Sequence, residues 1–352
     1  MISRLQPGSD SSEEGGLPAL SPPQRLALYH RPGSIVLLDD DADFLQMLAH
    51  ALPRHWNVEA FSSPQSCLNY LQQEPPRWEA DFWAQQKIIE RWLLGVPLIP
   101  QVLQYWATSP QRYQLTKCFV VDHLMPGISG LQALEELIEW PGQRVLLTGD
   151  EDESLATKAF NQGLIDRFVA KQTPQLVPHL IEMIQKLLER PNPRFHQIWS
   201  ATLSPAQYAL LRERTVAEDL SNFAARSFAE WIIIGEPFGI LGISDTGIAS
   251  CVQLEPASKL HDLAESARQG GVDPADVEHI RAGRCVYDFE WQQALGGSRP
   301  AVVTPAFFVG ETGSLLAGIH RIDESIAPPG PLSYRQWLAR TWQQRADDGR
   351  PF

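Results

Sequence analysis

Cys118-Phe119-Val120-Val121-Asp122-His123-Leu124-Met125-Pro126-Gly127-Ile128-Ser129-Gly130 opens with four apolar residues in a row and stops on a carboxylate. A short continuous apolar run of this kind reads as a strand buried on both faces, the condition of an inner strand in a parallel sheet. The loop through Pro126-Gly127 leads into a helical pattern from Leu131 to Trp140. Strand, loop and helix make one unit, and the N-terminal half of the chain repeats it.

Upstream, Ser34-Ile35-Val36-Leu37-Leu38 is a second apolar run, ending in Asp39-Asp40-Asp41. Residues Ala42 to Leu52 then place Phe44, Leu45, Leu48, Ala49 and Leu52 at helical spacing. Asn57 to Phe61 reads as a strand, and Ser62-Ser63-Pro64 opens a helix through Leu71 with a serine cap and an early proline. Downstream come a strand at Arg144 to Thr148, a helix at Glu153 to Gln162, a short strand at Arg167 to Ala170 and a helix at Pro174 to Leu188. Alternating strands and helices predict an α/β unit, a doubly wound parallel five-stranded sheet with helices on both faces, over 34–190.

Two segments stand outside this series. Residues 1–33 are polar and broken by Pro7-Gly8, Gly15-Gly16 and Ser21-Pro22-Pro23, and are expected to form a mobile tail with at most a short helix from Gln24 to His30. Residues 72–116 are rich in aromatics, with Trp78, Phe82, Gln85, Ile89, Trp92 and Leu93 at helical spacing and Ile99, Val102, Leu103 and Trp106 resuming it. They read as a helical pair inserted into the first unit. Packing of Trp78, Phe82, Trp83, Trp92 and Trp106 as a satellite core against that unit is preferred. The alternative is a homodimer or partner interface, since aromatics are enriched at interface centres.

The chemistry concentrates at one sheet edge. In an open parallel sheet, ligands bind at the carboxyl ends of the strands. Asp39 and Asp40 follow the first strand, Asp122 ends the third, Thr148 ends the fourth and Lys171 follows the last. Crowded carboxylates repel, so they call for a cation, and an all-oxygen site suits Mg2+. A metal ion and an ammonium would neutralise the charge on a phosphoryl group passing to Asp122. Asp41 serves as a helix cap, and the capping role alone does not account for Asp122 and Lys171 at the same edge.

The blocks Leu38-Asp39-Asp40-Asp41, Val121-Asp122 through Gly130, Leu147-Thr148-Gly149 and Phe168-Val169-Ala170-Lys171 resemble, in order and spacing, the signature blocks of two-component response regulators with CheY-like receiver domains. The resemblance covers Ser34 to Leu188 less the insertion. It implies a flavodoxin-like fold, Asp122 as phosphoacceptor, and Mg2+ held by Asp39, Asp40, Asp122 and the backbone carbonyl of Leu124. It further implies phosphoryl oxygens bound by Thr148 and Lys171, and a switch in which Thr148 moves and Phe168 turns inward. The phosphodonor it implies is a sensor histidine kinase or phosphotransfer protein. Two departures stand out: Gln172 follows Lys171 where the family commonly has proline, and Phe168 has no hydroxyl. His123 is taken as a neighbour of the acceptor that tunes access.

Residues 191–352 are expected to form a separate α+β output domain. Helical patterns fill Ser204 to Trp231, and Phe238 to Ser244 with Ile248 to Leu254 read as a hairpin around Asp245-Thr246-Gly247. Helices follow around Ser258 to Arg268 and Pro274 to Arg281. Val302 to Val309 and Ser314 to Ile322 read as a second hairpin. The Asp-Thr-Gly triplet is read as turn chemistry. His261, His279, His320, Asp288 and Glu290 show no metal-ligand spacing. The family of this unit is not recognised. A small-molecule or protein ligand is the expected output, with nucleotide or phosphoester turnover as the alternative.

Composition narrows the remaining classes. The 352 residues carry 42 acidic against 29 basic side chains, a formal net charge of −13, which disfavours a DNA-binding regulator. After Pro191 the only lysine is Lys259. Four cysteines without CxxC spacing read as reduced thiols. No apolar run approaches the ~20 residues of a membrane span. A cytoplasmic location is expected.

Overall fold

The computed structural model describes residues 26–149, 153–296, 300–322 and 333–347. The strands are β1 (Tyr29–His30), β2 (Ser34–Leu38), β3 (Asn57–Phe61), β4 (Thr116–Asp122), β5 (Gln143–Thr148), β6 (Arg167–Ala170), β7 (Glu230–Gly235), β8 (Phe238–Ile243), β9 (Ala249–Pro256), β10 (Cys285–Tyr287), β11 (Val303–Val309) and β12 (Leu315–Arg321). The helices are α1 (Ala42–Ala51), α2 (Pro64–Leu71), α3 (Pro75–Leu93), α4 (Leu98–Thr108), α5 (Gly130–Glu136), α6 (Glu153–Asn161) and α7 (Leu176–Glu189) in the first half. In the second half they are α8 (Pro193–Ser200), α9 (Pro205–Leu211), α10 (Arg214–Ser227), α11 (Leu260–Gln269), α12 (Pro274–Arg281), α13 (Phe289–Leu295) and α14 (Tyr334–Asp347).

The five-stranded parallel sheet has the order β3-β2-β4-β5-β6, so the chain reverses direction across the sheet between β2 and β4. The inner strands are apolar throughout because both faces are covered. Val36, Leu38, Phe119, Val121 and Leu146 pack under α2, α5 and α6. Ile35, Leu37, Cys118, Val120, Val145 and Leu147 pack on the opposite face under α1 and α7. Helices α1, α2 and α5 start where a side chain satisfies orphan N–H groups. The Asp41 carboxylate accepts from the N–H groups of Asp43 and Phe44, Ser63 caps α2, and Ser129 with Gln132 forms a capping box on α5.

The second sheet is antiparallel, with the order β1-β7-β8-β9-β12-β11-β10. Both expected hairpins are present, as β8–β9 and β11–β12. Strand β7 was not expected, since the helical reading ran on to Trp231. The helix ends at Ser227, and Trp231-Ile232-Ile233-Ile234 is a fully buried strand, a run that periodicity alone does not separate from a buried helix.

Two expectations about the N-terminal half are corrected. Residues 26–33 are not tail: Tyr29 and His30 pair with Ile232 and Trp231 at the edge of the second sheet, and no helix reaches His30. The rest of the expected tail, 1–25, lies outside the described residues. The insertion does not pack as a satellite of the first unit. Trp78, Phe82, Ile89, Ile99, Val102, Leu103 and Trp106 join Trp199, Leu220, Ile232, Ile234 and Leu241 in one continuous core. Residues of the N-terminal half therefore complete the second unit. Trp83, by contrast, is exposed.

Polar groups tie the two units together. Glu74, at the start of α3, accepts from the Thr116 hydroxyl at 2.6 Å and from the Trp140 indole at 2.9 Å. Helix α14 reaches back to the outer strand of the first sheet, where Arg345 donates to the Val58 carbonyl at 2.9 Å and to Asn57 at 2.7 Å and pairs with Glu59. No helix among the described residues is long and apolar enough to cross a membrane.

Candidate functional site

The carboxyl ends of β2, β4 and β5 form the rim that holds the site. β2 ends at Leu38 and delivers Asp39, whose N–H donates to the Phe61 carbonyl at 3.2 Å and whose Oδ1 accepts from the Asp41 N–H at 3.0 Å. Asp122 is the last residue of β4, paired in register with Leu147, and the next residue donates from its N–H to the Leu147 carbonyl at 2.9 Å. Lys171 follows β6, and its N–H donates to the Thr148 carbonyl at 2.8 Å. The backbone ladder thus sets three functional side chains before any side-chain contact is made.

Those side chains converge. Lys171 Nζ lies 2.7 Å from Asp39 Oδ2 and 2.8 Å from Asp122 Oδ1, and 4.7 Å from the centre of the Phe44 ring. Asp39 and Asp122 are buried while Asp40 is exposed, and one carboxylate oxygen from each of the three lies within 4.8 Å of the others. Burial raises the pKa of Asp39, and the charge of Asp122 adds to the shift, against the hydrogen bonds from Lys171 and the Asp41 N–H. Burial works to lower the pKa of Lys171, but its bonds with Asp122 and Asp39 outweigh this and raise it. Two buried carboxylates on one ammonium leave an excess of negative charge. Three oxygens of this spacing suit a hard divalent ion of the Mg2+ class, so the residues present fit such a group.

The remaining expected site residues sit around this centre. Thr148 is buried, with its hydroxyl 3.5 Å from the Val169 carbonyl, a distance too long for a strong bond. Phe168, paired with Leu146, is half-buried against the core beneath α5 and α6. Leu124 lies in the loop after β4 with its side chain 66% exposed. The His123 carbonyl accepts from the Gly130 N–H at 2.9 Å, which closes that loop. Gln172 in place of proline does not draw Lys171 away from the carboxylates.

Two contributors escaped the sequence reading. Phe44 was read only as one of the residues at helical spacing; it packs against the core under α1 and also offers its ring face to the Lys171 ammonium. Gly130 was treated as the end of a loop. A Cβ there would lie 2.2 Å from the Asp122 carbonyl oxygen, so only glycine lets α5 start this close to β4. In the second unit, His320 and Asp288 proved to be buried neighbours 3.7 Å apart. Sequence spacing could not reveal the pair, because it forms across β12 and the start of α13.

No protein-family model matches the chain. No curated protein matches it either. Among solved structures, the Legionella pneumophila response regulator LqsR is similar at 20% identity over 89% of this chain and 95% of that one, with a TM-score of 0.65. A response regulator receiver domain protein from Clostridium thermocellum aligns at 17% identity over 44% of this chain and 94% of that one, with a TM-score of 0.30. The BeF3-activated DrrB receiver domain aligns at 19% identity over 45% of this chain and 99% of that one, with a TM-score of 0.30. The likeness to LqsR is one of fold and takes in both units. The five-stranded parallel unit has the receiver fold of response regulators, as the signature blocks led us to expect.

Proposed function

We propose that the chain is a phosphorylation-switched regulator in which Asp122 accepts a phosphoryl group from a sensor histidine kinase or phosphotransfer protein. The observation that carries this reading is the convergence of Asp39, Asp122 and Lys171, with Asp40 at the rim. In the transfer, an Asp122 carboxylate oxygen forms a bond to phosphorus while the bond from phosphorus to the donor nitrogen breaks, leaving an acyl phosphate. Asp39, Asp40, Asp122 and the Leu124 carbonyl would hold Mg2+, which supplies a positive charge against the phosphoryl oxygens. Lys171 is held by two carboxylates and supplies a second positive charge beside the acceptor. Burial of Asp122 limits the access of water.

Thr148 carries the switch. Its hydroxyl is weakly held by the Val169 carbonyl and is free to turn toward a phosphoryl oxygen. Phe168, half-buried beside it in the sheet, then moves inward into the space vacated. The signal passes to a second unit that binds a small molecule or protein. The acidic composition favours this output over direct DNA contact.

The test is labelling with acetyl phosphate and Mg2+. Wild type should become phosphorylated and Asp122→Asn should not. A labelled Asp122→Asn protein would assign the acceptor elsewhere.

A further inference from the structure

The parallel sheet has a charged group at its other end as well. Asp122 closes β4, whereas Lys117 lies next to its start, roughly 16 Å away at about 3.3 Å per residue. There β1, β4, the segment before β5, the end of α7 and the start of α8 enclose a cavity of about 80 Å³ between the two units. Its charged lining is basic: Arg31, Lys117 and Arg190 bring cationic groups, His30 brings an imidazole, and no aspartate or glutamate lines the cavity among the described residues. In a chain of net charge −13, such a gathering runs against the composition.

The protein balances these charges incompletely. Arg31 is buried and pairs with Asp81 at 3.2 Å, and Arg190 pairs with Asp166 at 2.8 Å. Lys117 has no carboxylate at ion-pair distance among the described residues. Its ammonium donates to the carbonyls of Arg31 at 3.0 Å and Leu188 at 2.6 Å, which leaves one of its three protons. Burial and the charge of Arg31 push the Lys117 pKa down to about 7, against the pull of Glu189. Burial also lowers the pKa of His30, so its ring is neutral. The Arg190 Nη1 serves Gln143 and Asp166, and Nη2 and Nε remain for the oxygens of an anion. Lys117 and His30 are half-buried and Arg190 is exposed, so all three keep surface from which to meet a ligand. Size restricts the occupant. At about 30 Å³ per water, the cavity takes roughly two or three waters or one small oxyanion, and a nucleotide or peptide is too large.

We propose that this cavity binds a single free tetrahedral oxyanion of the phosphate class, held by Lys117 and Arg190 with a further bond from the His30 imidazole. Arg31 adds to the positive field from behind the wall. The anion ties the two units together, because Lys117 and Arg190 belong to β4 and the end of α7, whereas His30 lies on the edge strand of the second sheet. The site is separate from the Asp39–Asp122 rim, and its occupancy does not depend on phosphoryl transfer.

Isothermal titration calorimetry of the full chain with inorganic phosphate, without Mg2+ and at fixed ionic strength, tests it. Saturable binding at millimolar concentration or better is expected. Arg190→Gln, a change at a surface side chain, should bind about tenfold more weakly. Asn192 lines the cavity and caps α8, so Asn192→Asp keeps an equally good cap while adding a negative charge, and it should also lose about tenfold or more. Lys171→Gln removes the cation of the other rim and should bind phosphate as wild type does. Absence of saturable binding to wild type, unchanged affinity in Arg190→Gln or in Asn192→Asp, or loss of binding in Lys171→Gln would overturn the proposal.

Discussion

Arg112 and Glu230 form an ion pair of 2.8 Å in which the side chains are 1% and 0% exposed, and the two residues lie 118 positions apart in the chain. The guanidinium also donates to the carbonyls of Trp106 and Ser109 and to the Tyr113 hydroxyl, so its donor capacity is used. Glu230 opens β7 and further accepts from Tyr113 and Tyr29. This network seats the inserted segment and β1 on the second sheet, which makes the two halves of the chain one interdependent fold.

Removing one partner of a buried pair leaves the other charge uncompensated, at a cost of roughly 3–5 kcal/mol. Arg112→Met should destabilise the protein by that order in chemical denaturation, and hydrogen exchange should show the loss in β7 and β8 as well as in the insertion. Exchange that rises only between residues 98 and 115 would mean that the pair does not couple the segments.

Gly130→Ala places a methyl group against the Asp122 carbonyl. The start of α5 must then shift by an ångström or more, and a cost of roughly 1–3 kcal/mol is expected from overpacking. Labelling by acetyl phosphate should fall steeply, since the acceptor sits on the displaced backbone. Unchanged labelling in a folded variant would show that the approach of α5 is not needed for the site.

Asp39→Asn should stabilise the protein at neutral pH without metal, by on the order of 1 kcal/mol. The folded pKa of Asp39 is raised above its ordinary value of 3.8, so the folded state holds the proton more tightly than the unfolded state. The stability this brings is present below pH 3.8 and is lost as pH rises through the folded pKa. The gain of the variant should therefore grow with pH, and its stabilisation by added Mg2+ should be smaller than that of wild type. Thermal melts across pH 3 to 8 check both. A variant less stable than wild type at pH 7 would show that Lys171 needs both carboxylates.

Glu255 gives the second unit a pH dependence of its own. With a folded pKa of about 7 against an ordinary 4.5, its contribution is complete below pH 4.5 and disappears as pH rises through 7. Glu255→Gln should remove a loss of about 2 kcal/mol across that window, discounted for partial exposure of the group. Parallel denaturation curves for wild type and variant at pH 4.5 and pH 8 would refute the assignment.

The sequence by itself determined the receiver unit and the acidic rim at the carboxyl ends of its strands. Strands such as Ile35 to Leu38 and Phe119 to Val121 are apolar without interruption, short and bounded by loop signals, the pattern of burial on both faces, and each ends on the carboxylate it delivers. Those signals are local, so they can be read before the chain folds. The helical period of Trp78, Phe82 and Trp106 was equally visible, but a stripe of apolar residues says that a helix must be covered and not by what. Only the tertiary structure assigned that stripe to the second sheet, where Arg112 meets Glu230. Only there did Tyr29-His30 become an edge strand, because two residues carry no period and are ordered by the backbone bonds of β7. The cavity between His30, Lys117 and Arg190 likewise exists through the meeting of separate elements, which no spacing along the chain encodes.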